Sequence, residues 1–172
     1  MPYPPQLVDP MRRELSDLGV QELLSASDVD AAMVAAGDKT ALVVVNSVCG
    51  CAAANARPAV RLAMHAPVQP DHYLTVFAGQ DLEATAKMRS YLQGIPPSSP
   101  FMALFKDGQP VFVLERRNIE GRSASAIGQD LAAAYEQFCG DGTEEAAPSE
   151  TPGAANEADG ETALPASFRS IL

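Results

Sequence analysis

Apolar and polar positions change period several times along the first 140 residues, and each change predicts an element. Asp9 as N-cap, Pro10 in the first turn, Met11, Leu15 and Leu18 on one face and Gly19 behind them predict a first helix. Ser27, with Val29 and Met33 one turn apart and Gly37 as the stop, predicts a second, ending near Ala36. Ala41 to Val45 is an unbroken apolar run, the pattern of a central strand buried on both faces. From Ala52 to about His65 the chain reads as a helix with a bend at Pro58, whose ring removes one backbone hydrogen bond and presses on the preceding turn. Tyr73 to Phe77 is a second strand, and Asp81 then caps a helix with Leu82, Thr85, Met88 and Leu92 inward. Phe101 to Phe105, the turn dipeptide Asp107-Gly108 and Val111 to Leu114 form an antiparallel hairpin. A closing helix from Ser123 to Cys139 aligns Ile127, Leu131, Tyr135 and Phe138 on one stripe.

The predicted order is βαβαββα with two extra N-terminal helices. Strand–helix–strand alternation implies a parallel pair with a right-handed crossover, so the fold class is α/β, with a four-stranded mixed sheet and helices on both faces. From Gly140 to about Thr162 the chain is Gly, Ala, Pro, Ser, Thr and acid, with too little to bury, so residues 140–172 are expected to be an acidic, mostly disordered tail behind a domain of residues 1–139. Leu164, Phe168, Ile171 and Leu172 nevertheless fall at helical spacing behind Pro165, which leaves open a docked segment or a frayed end.

Charge changes this picture little. The 172 residues carry a net charge of −10, but seven acidic residues and one basic residue lie beyond position 140, leaving −4 on residues 1–140. With no basic stripe to displace phosphate counterions, nucleic acid is not an expected partner, and Arg12-Arg13 and Arg116-Arg117 read as solvated positions. No apolar stretch is long enough to span a membrane and the first residues show no signal-peptide pattern, so the expected compartment is the cytoplasm. There a close cysteine pair is catalytic or metal-binding more often than structural.

Such a pair exists. Cys49-Gly50-Cys51 sits where the buried strand gives way to the alanine-rich helix, so a thiol there meets unpaired N–H groups and the positive end of the helix dipole. Cysteine in that position ionises well below its free value of roughly 8.5 and becomes an available nucleophile. With one intervening residue, an internal disulfide would be strained, and only a flexible Gly50 lets the chain fold back to form it. A strained bridge is easily reduced, so its potential should be less negative than the roughly −270 mV of thioredoxin.

These residues also carry a resemblance. The element order, the short cysteine motif after the first strand, Pro100 just before the third and Phe105-Lys106-Asp107-Gly108 at the hairpin resemble the thioredoxin fold. The runs Asp9 to Leu15, Val43 to Ala52, Ala56 to Ala59, Val76 to Asp81, Glu83 to Arg89 and Pro97 to Pro100 are similar to the bacilliredoxin family, over about residues 7 to 139. The resemblance implies a cytoplasmic thiol–disulfide oxidoreductase that removes low-molecular-weight thiols, bacillithiol above all, from mixed disulfides on client proteins, and weak disulfide isomerase activity in some members. It implies Cys49 as the attacking and Cys51 as the resolving thiol, Gly50 between them, and a cis Pro100 facing the pair with the Ser99 backbone open to an extended client peptide. It implies no tightly bound cofactor, the small thiol acting as co-substrate, and as partners the client proteins together with that thiol or a reductase. The acidic tail is outside the pattern.

Two other classes stay in view: a metal or iron–sulfur carrier built on Cys49, Cys51 and Cys139, for which a one-residue spacer without a nearby histidine is poor spacing, and a noncatalytic thioredoxin-fold adaptor binding through the Pro100 groove or the tail. Cys139, at the end of the last stripe, is a bland half-buried thiol or a third redox partner. Arg57 lies two turns past Cys49 and reads equally as a solvated or an electrostatic residue, Met64 and Met88 read as core filler, and His65 and His72 receive no role.

Overall fold

The structure, a computed structural model, describes residues 2–140. The tail proposed for residues 140–172, the helical spacing from Leu164 to Leu172 and the domain boundary drawn at 139 therefore fall outside, or at the edge of, the described residues.

Helix α1 (Pro5–Ser16) and strand β1 (Gln21–Glu22) precede α2 (Ala26–Ala36) and β2 (Thr40–Asn46). A π-helical turn (Ala52–Ala56) leads directly into α3 (Arg57–Ala63), then come β3 (His72–Phe77), α4 (Leu82–Ser90) and the hairpin of β4 (Phe101–Lys106) and β5 (Gln109–Leu114). One turn of helix, α5 (Arg116–Ile119), and α6 (Ala124–Cys139) complete the described chain. The sheet order is β1-β3-β2-β4-β5, with β1, β3 and β2 parallel and β4 and β5 antiparallel to their neighbours. This is the thioredoxin-like arrangement.

The apolar runs are explained by what covers them. On β2, Ala41, Val43 and Val45 face a core shared with α2 and α4, whereas Leu42 and Val44 face one shared with α1, α3 and α6. β4 alternates in the same way, Phe101, Ala103 and Phe105 on the first face and Met102 and Leu104 on the second. A strand covered on both faces has no polar side to show. The hairpin turn takes positive φ at both Asp107 (52°) and Gly108 (70°), the geometry for which such a dipeptide is suited.

Several expectations are corrected. The sheet has five strands rather than four, because Gln21 and Glu22 pair with Leu74 and Thr75, and a two-residue edge strand is too short to carry a period. The first helix begins at Pro5, so Asp9 is not its N-cap and Pro10 lies inside it. Ser25, not Ser27, caps α2, its hydroxyl accepting from the Asp28 N–H while the Asp28 carboxylate accepts from the Ser25 N–H. Asp81 precedes α4 without capping it, and Leu82 is exposed, the inner face being Ala84, Thr85 and Met88. At Pro58 the winding changes: the Arg57 N–H reaches back to the Ala52 carbonyl in a π turn, and Pro58 follows in the first turn of α3, where a missing N–H costs least. Among the described residues, no helix is long and apolar enough to cross a membrane.

Candidate active site

Strand β2 ends at Asn46, and the chain turns there because the Asn46 side-chain carbonyl accepts the Ser47 N–H at 2.8 Å. Helical winding resumes when the Cys49 carbonyl accepts from Ala52 N–H (3.0 Å) and Ala53 N–H (3.2 Å). The same Ala52 N–H lies 3.4 Å from Cys49 Sγ, and the Ser47 hydroxyl donates to that sulfur at 3.3 Å. Cys49 and Cys51 are free thiols, both half-buried, and Gly50 between them is exposed.

The two sulfurs are driven in opposite directions. Burial pushes the Cys49 thiol up, but hydrogen bonds from Cys51, from the Ser47 hydroxyl and from the Ala52 N–H favour the thiolate and carry it below the ordinary cysteine range. Burial pushes Cys51 up as well; the hydrogen bond it gives to Cys49 and the negative charge there raise it further, and Arg116 only partly opposes them. Arg116, read from sequence as an ordinary solvated residue, thus lies within electrostatic reach of both sulfurs. Its backbone N–H is bonded to Ser98 Oγ at 3.2 Å, and its guanidinium pairs with Glu120 at 3.3 Å.

Ser99 and Pro100 are joined by a cis peptide bond. Val45 is paired with Phe101, so Pro100 stands beside the end of β2, at the end of the sheet from which the cysteine loop leaves. Pro100 is buried and Ser99 half-buried.

Arg57 is not a solvated residue: its side chain is 2% exposed. Nε and Nη2 grip the Glu14 carboxylate at 2.8 and 3.1 Å, and Nη1 donates to Asn46 Oδ1 and to the Ser47 carbonyl, both at 3.2 Å. Asn46 Nδ2 in turn donates to the Met11 carbonyl at 3.4 Å, so α1 is tied to the cysteine loop at two points. Of the two readings left open for Arg57 the electrostatic one holds, whereas Asn46, Ser47, Glu14 and Arg116 are the residues near the site that sequence reasoning missed. Asn46-Ser47 directly behind an apolar run is a legible turn signal, whereas nothing local announces the Arg57–Glu14 pair.

The remaining candidates lie elsewhere. Cys139 ends α6, half-buried, its thiol pushed up by burial, and Thr40 and Asp71 rather than the cysteine pair are its polar neighbours. His65 Nδ1 is bonded to the Arg61 carbonyl, and His72 opens β3. Among the described residues, no group of three or more His, Cys, Asp or Glu side chains is placed to hold a metal ion.

Two sulfurs at a strand end, one favouring its thiolate and the other keeping its proton, are suited to exchanging partners with a third. On this sheet, that defines the class: a thioredoxin-like thiol–disulfide oxidoreductase. Within it, the chain belongs to the bacilliredoxin family. The family model described as disulphide isomerase matches residues 3–139. A bacilliredoxin of Salinibacter ruber is 58% identical over 172 residues, covering 99% of both chains, so that match extends through the acidic tail. A bacilliredoxin of Halalkalibacterium halodurans is 52% identical over 137 residues, covering 80% of this chain and 94% of its own. Among solved structures, Fasciola hepatica thioredoxin aligns with a TM-score of 0.49 at 19% identity, covering 67% of this chain and 99% of that one.

Proposed function

We propose that the protein strips a low-molecular-weight thiol, bacillithiol foremost, from mixed disulfides on client proteins in the cytoplasm, with Cys49 attacking and Cys51 resolving. The Cys49 thiolate forms a bond to the small thiol's sulfur as the bond from that sulfur to the client breaks, and the client leaves as a thiolate that takes a proton from solvent. Cys51, once deprotonated, then attacks Cys49 Sγ and expels the small thiol. The client disulfide is thereby reduced by two electrons and the Cys49–Cys51 dithiol oxidised by two. A thiol or reductase from outside restores the dithiol. No tightly bound cofactor is required, and the small thiol is a co-substrate.

The single observation that carries the assignment of roles is the opposite direction in which the two thiols are driven. Cys49 is the thiol that ionises more readily, and Cys51 is the one that holds its proton more firmly. Once Cys49 is capped, its negative charge disappears, and with it one of the influences holding the Cys51 proton, so the second thiolate becomes available when it is needed. Gly50 leaves the pair open to an incoming disulfide, and Ser99 and Pro100 are the backbone against which an extended client segment would lie.

The test is to incubate the reduced Cys51→Ala protein with protein mixed disulfides of bacillithiol, glutathione and cysteine and to locate the adducts by mass spectrometry. The expected result is a trapped small-thiol adduct on Cys49, formed fastest from bacillithiol. Equal rates from all three would remove the bacillithiol preference, and no adduct would remove the attacking role. The description of the matching family favours a second reading, disulfide isomerisation through the same Cys49 attack, which predicts that Cys51→Ala still refolds a scrambled disulfide protein.

A further inference from the structure

We propose that Arg57 is a positioning residue for the Cys49 sulfur, acting through Ser47, and that Ser47 is the catalytic hydroxyl that holds the attacking thiolate. This rests on Cys49 being the reactive thiol of the proposed function.

A buried guanidinium is costly unless its N–H groups are paired, and a helix–helix contact at this point could be made by apolar packing without a charge. Here four separate hydrogen bonds leave the Arg57 head, two to Glu14 on α1 and one each to Asn46 and Ser47, which Val48 separates from the cysteine motif. The planar fork fixes the direction of each, which an ammonium group could not do. Ser47 is consequently held on both sides. Its N–H is bonded to Asn46 Oδ1, the atom that also receives Arg57 Nη1, and its carbonyl receives Arg57 Nη1 directly. With the Ser47 backbone pinned, its hydroxyl has one bonded partner, Cys49 Sγ at 3.3 Å. A hydroxyl that must be frozen on each ionisation stabilises a thiolate less than one already in place.

Arg57 therefore contributes to the ionisation of a sulfur it does not touch. The other titratable or charged groups facing Cys49 are Cys51 and Arg116, and both stay intact in the variants below.

The experiment measures iodoacetamide alkylation of Cys49 against pH, quantified on the Cys49 peptide by mass spectrometry, together with the melting temperature. Ser47→Ala should raise the alkylation midpoint by about one unit, the size of one hydrogen bond to a charged group. Arg57→Gln should raise it in the same direction by roughly half as much, and Arg57→Gln placed on Ser47→Ala should add nothing, because the residue through which it acts is gone. If Arg57→Gln does not fold, Glu14→Gln, whose side chain is 38% exposed, carries the same test with a smaller shift of the same sign. A melting temperature that falls while the midpoint stays put makes Arg57 a structural clamp only, and an undiminished shift in the Ser47→Ala background removes Ser47 as the intermediary; either overturns the proposal. Alkylation needs no physiological substrate, so a failed bacillithiol preference leaves this test standing. A parent midpoint already at the ordinary cysteine value would instead indict the proposed function.

Discussion

Arg12 on α1 lays its guanidinium flat against both carboxylate oxygens of Asp81, Nη1 to Oδ2 at 2.8 Å and Nη2 to Oδ1 at 2.7 Å. The same side chain reaches Glu22 on β1 at 3.3 Å and stacks over the Phe77 ring, 5.1 Å from its centroid. One arginine thus joins α1, the edge strand and the turn between β3 and α4, which is why Asp81 is unavailable as a helix cap.

The two charges of that pair are mostly withdrawn from solvent, with side chains 16% and 11% exposed, so removing one partner strands the other. Asp81→Asn is expected to cost about 2–3 kcal/mol in urea unfolding, and Arg12→Lys, which keeps the charge but loses the fork, about 1–2 kcal/mol. An Asp81→Asn protein as stable as the parent would show that the fork adds nothing.

What was legible in the sequence follows from range. β2 and β4 were visible because both faces of each are buried, so their whole length is apolar. The α6 stripe was visible because Ile127, Leu131 and Tyr135 repeat within one element. β1 and α5 were not, being two and four residues long, about one period each and so too short for a pattern to repeat. The cysteine motif declared itself locally, but its support did not: Glu14 and Arg57 are 43 positions apart, and their pairing depends on α1 crossing α3. Arg116 reaches the sulfurs only because the chain between β5 and α6 runs back past Ser98.

The hydrogen bond from Cys51 is one of the influences that lower Cys49, so Cys51→Ala should raise the Cys49 alkylation midpoint even though Cys49 itself, the proposed attacking residue, is intact. Alkylation follows the thiolate fraction, so the variant should lose rate chiefly below the new midpoint and match the parent well above it. Stability has the corresponding sign. Because the folded-state value of Cys49 is depressed, its contribution is present above the ordinary cysteine range and is lost as pH falls through the folded value. A midpoint unmoved in Cys51→Ala would mean that the two sulfurs do not communicate.

Tyr73 and Tyr135 meet edge to face, centroids 6.3 Å apart at 88°. Burial pushes Tyr73 up from 10.0 to about 12, and it pushes Tyr135 up as well. The neutral phenols are the forms the fold accommodates, so their contribution is complete below about pH 10, where the unfolded chain begins to ionise, and is lost as pH rises through about 12. Urea unfolding between pH 9 and 12 should show stability falling throughout the upper half of that range, with the fall reduced in Tyr73→Phe. A Tyr73→Phe variant with the parent's alkaline slope would place the sensitivity elsewhere.

Gly50 is expected to matter for the proposed disulfide and not for the fold of the dithiol form. A methyl group added there meets nothing within 4 Å, and its φ lies outside the left-handed region, so the dithiol form has no steric need for glycine. In the disulfide, the same residue must let the chain fold back far enough to join sulfurs one residue apart. Gly50→Ala should therefore leave the reduced protein within about 0.5 kcal/mol of the parent and make the internal bridge harder to form. If alanine costs the bridge about 1 kcal/mol, its potential moves roughly 20 mV in the less negative direction. Equilibration of both proteins in defined thiol–disulfide buffers reads that shift directly. If the reduced variant is clearly destabilised, glycine serves the fold; if the potentials coincide, the bridge does not require its flexibility.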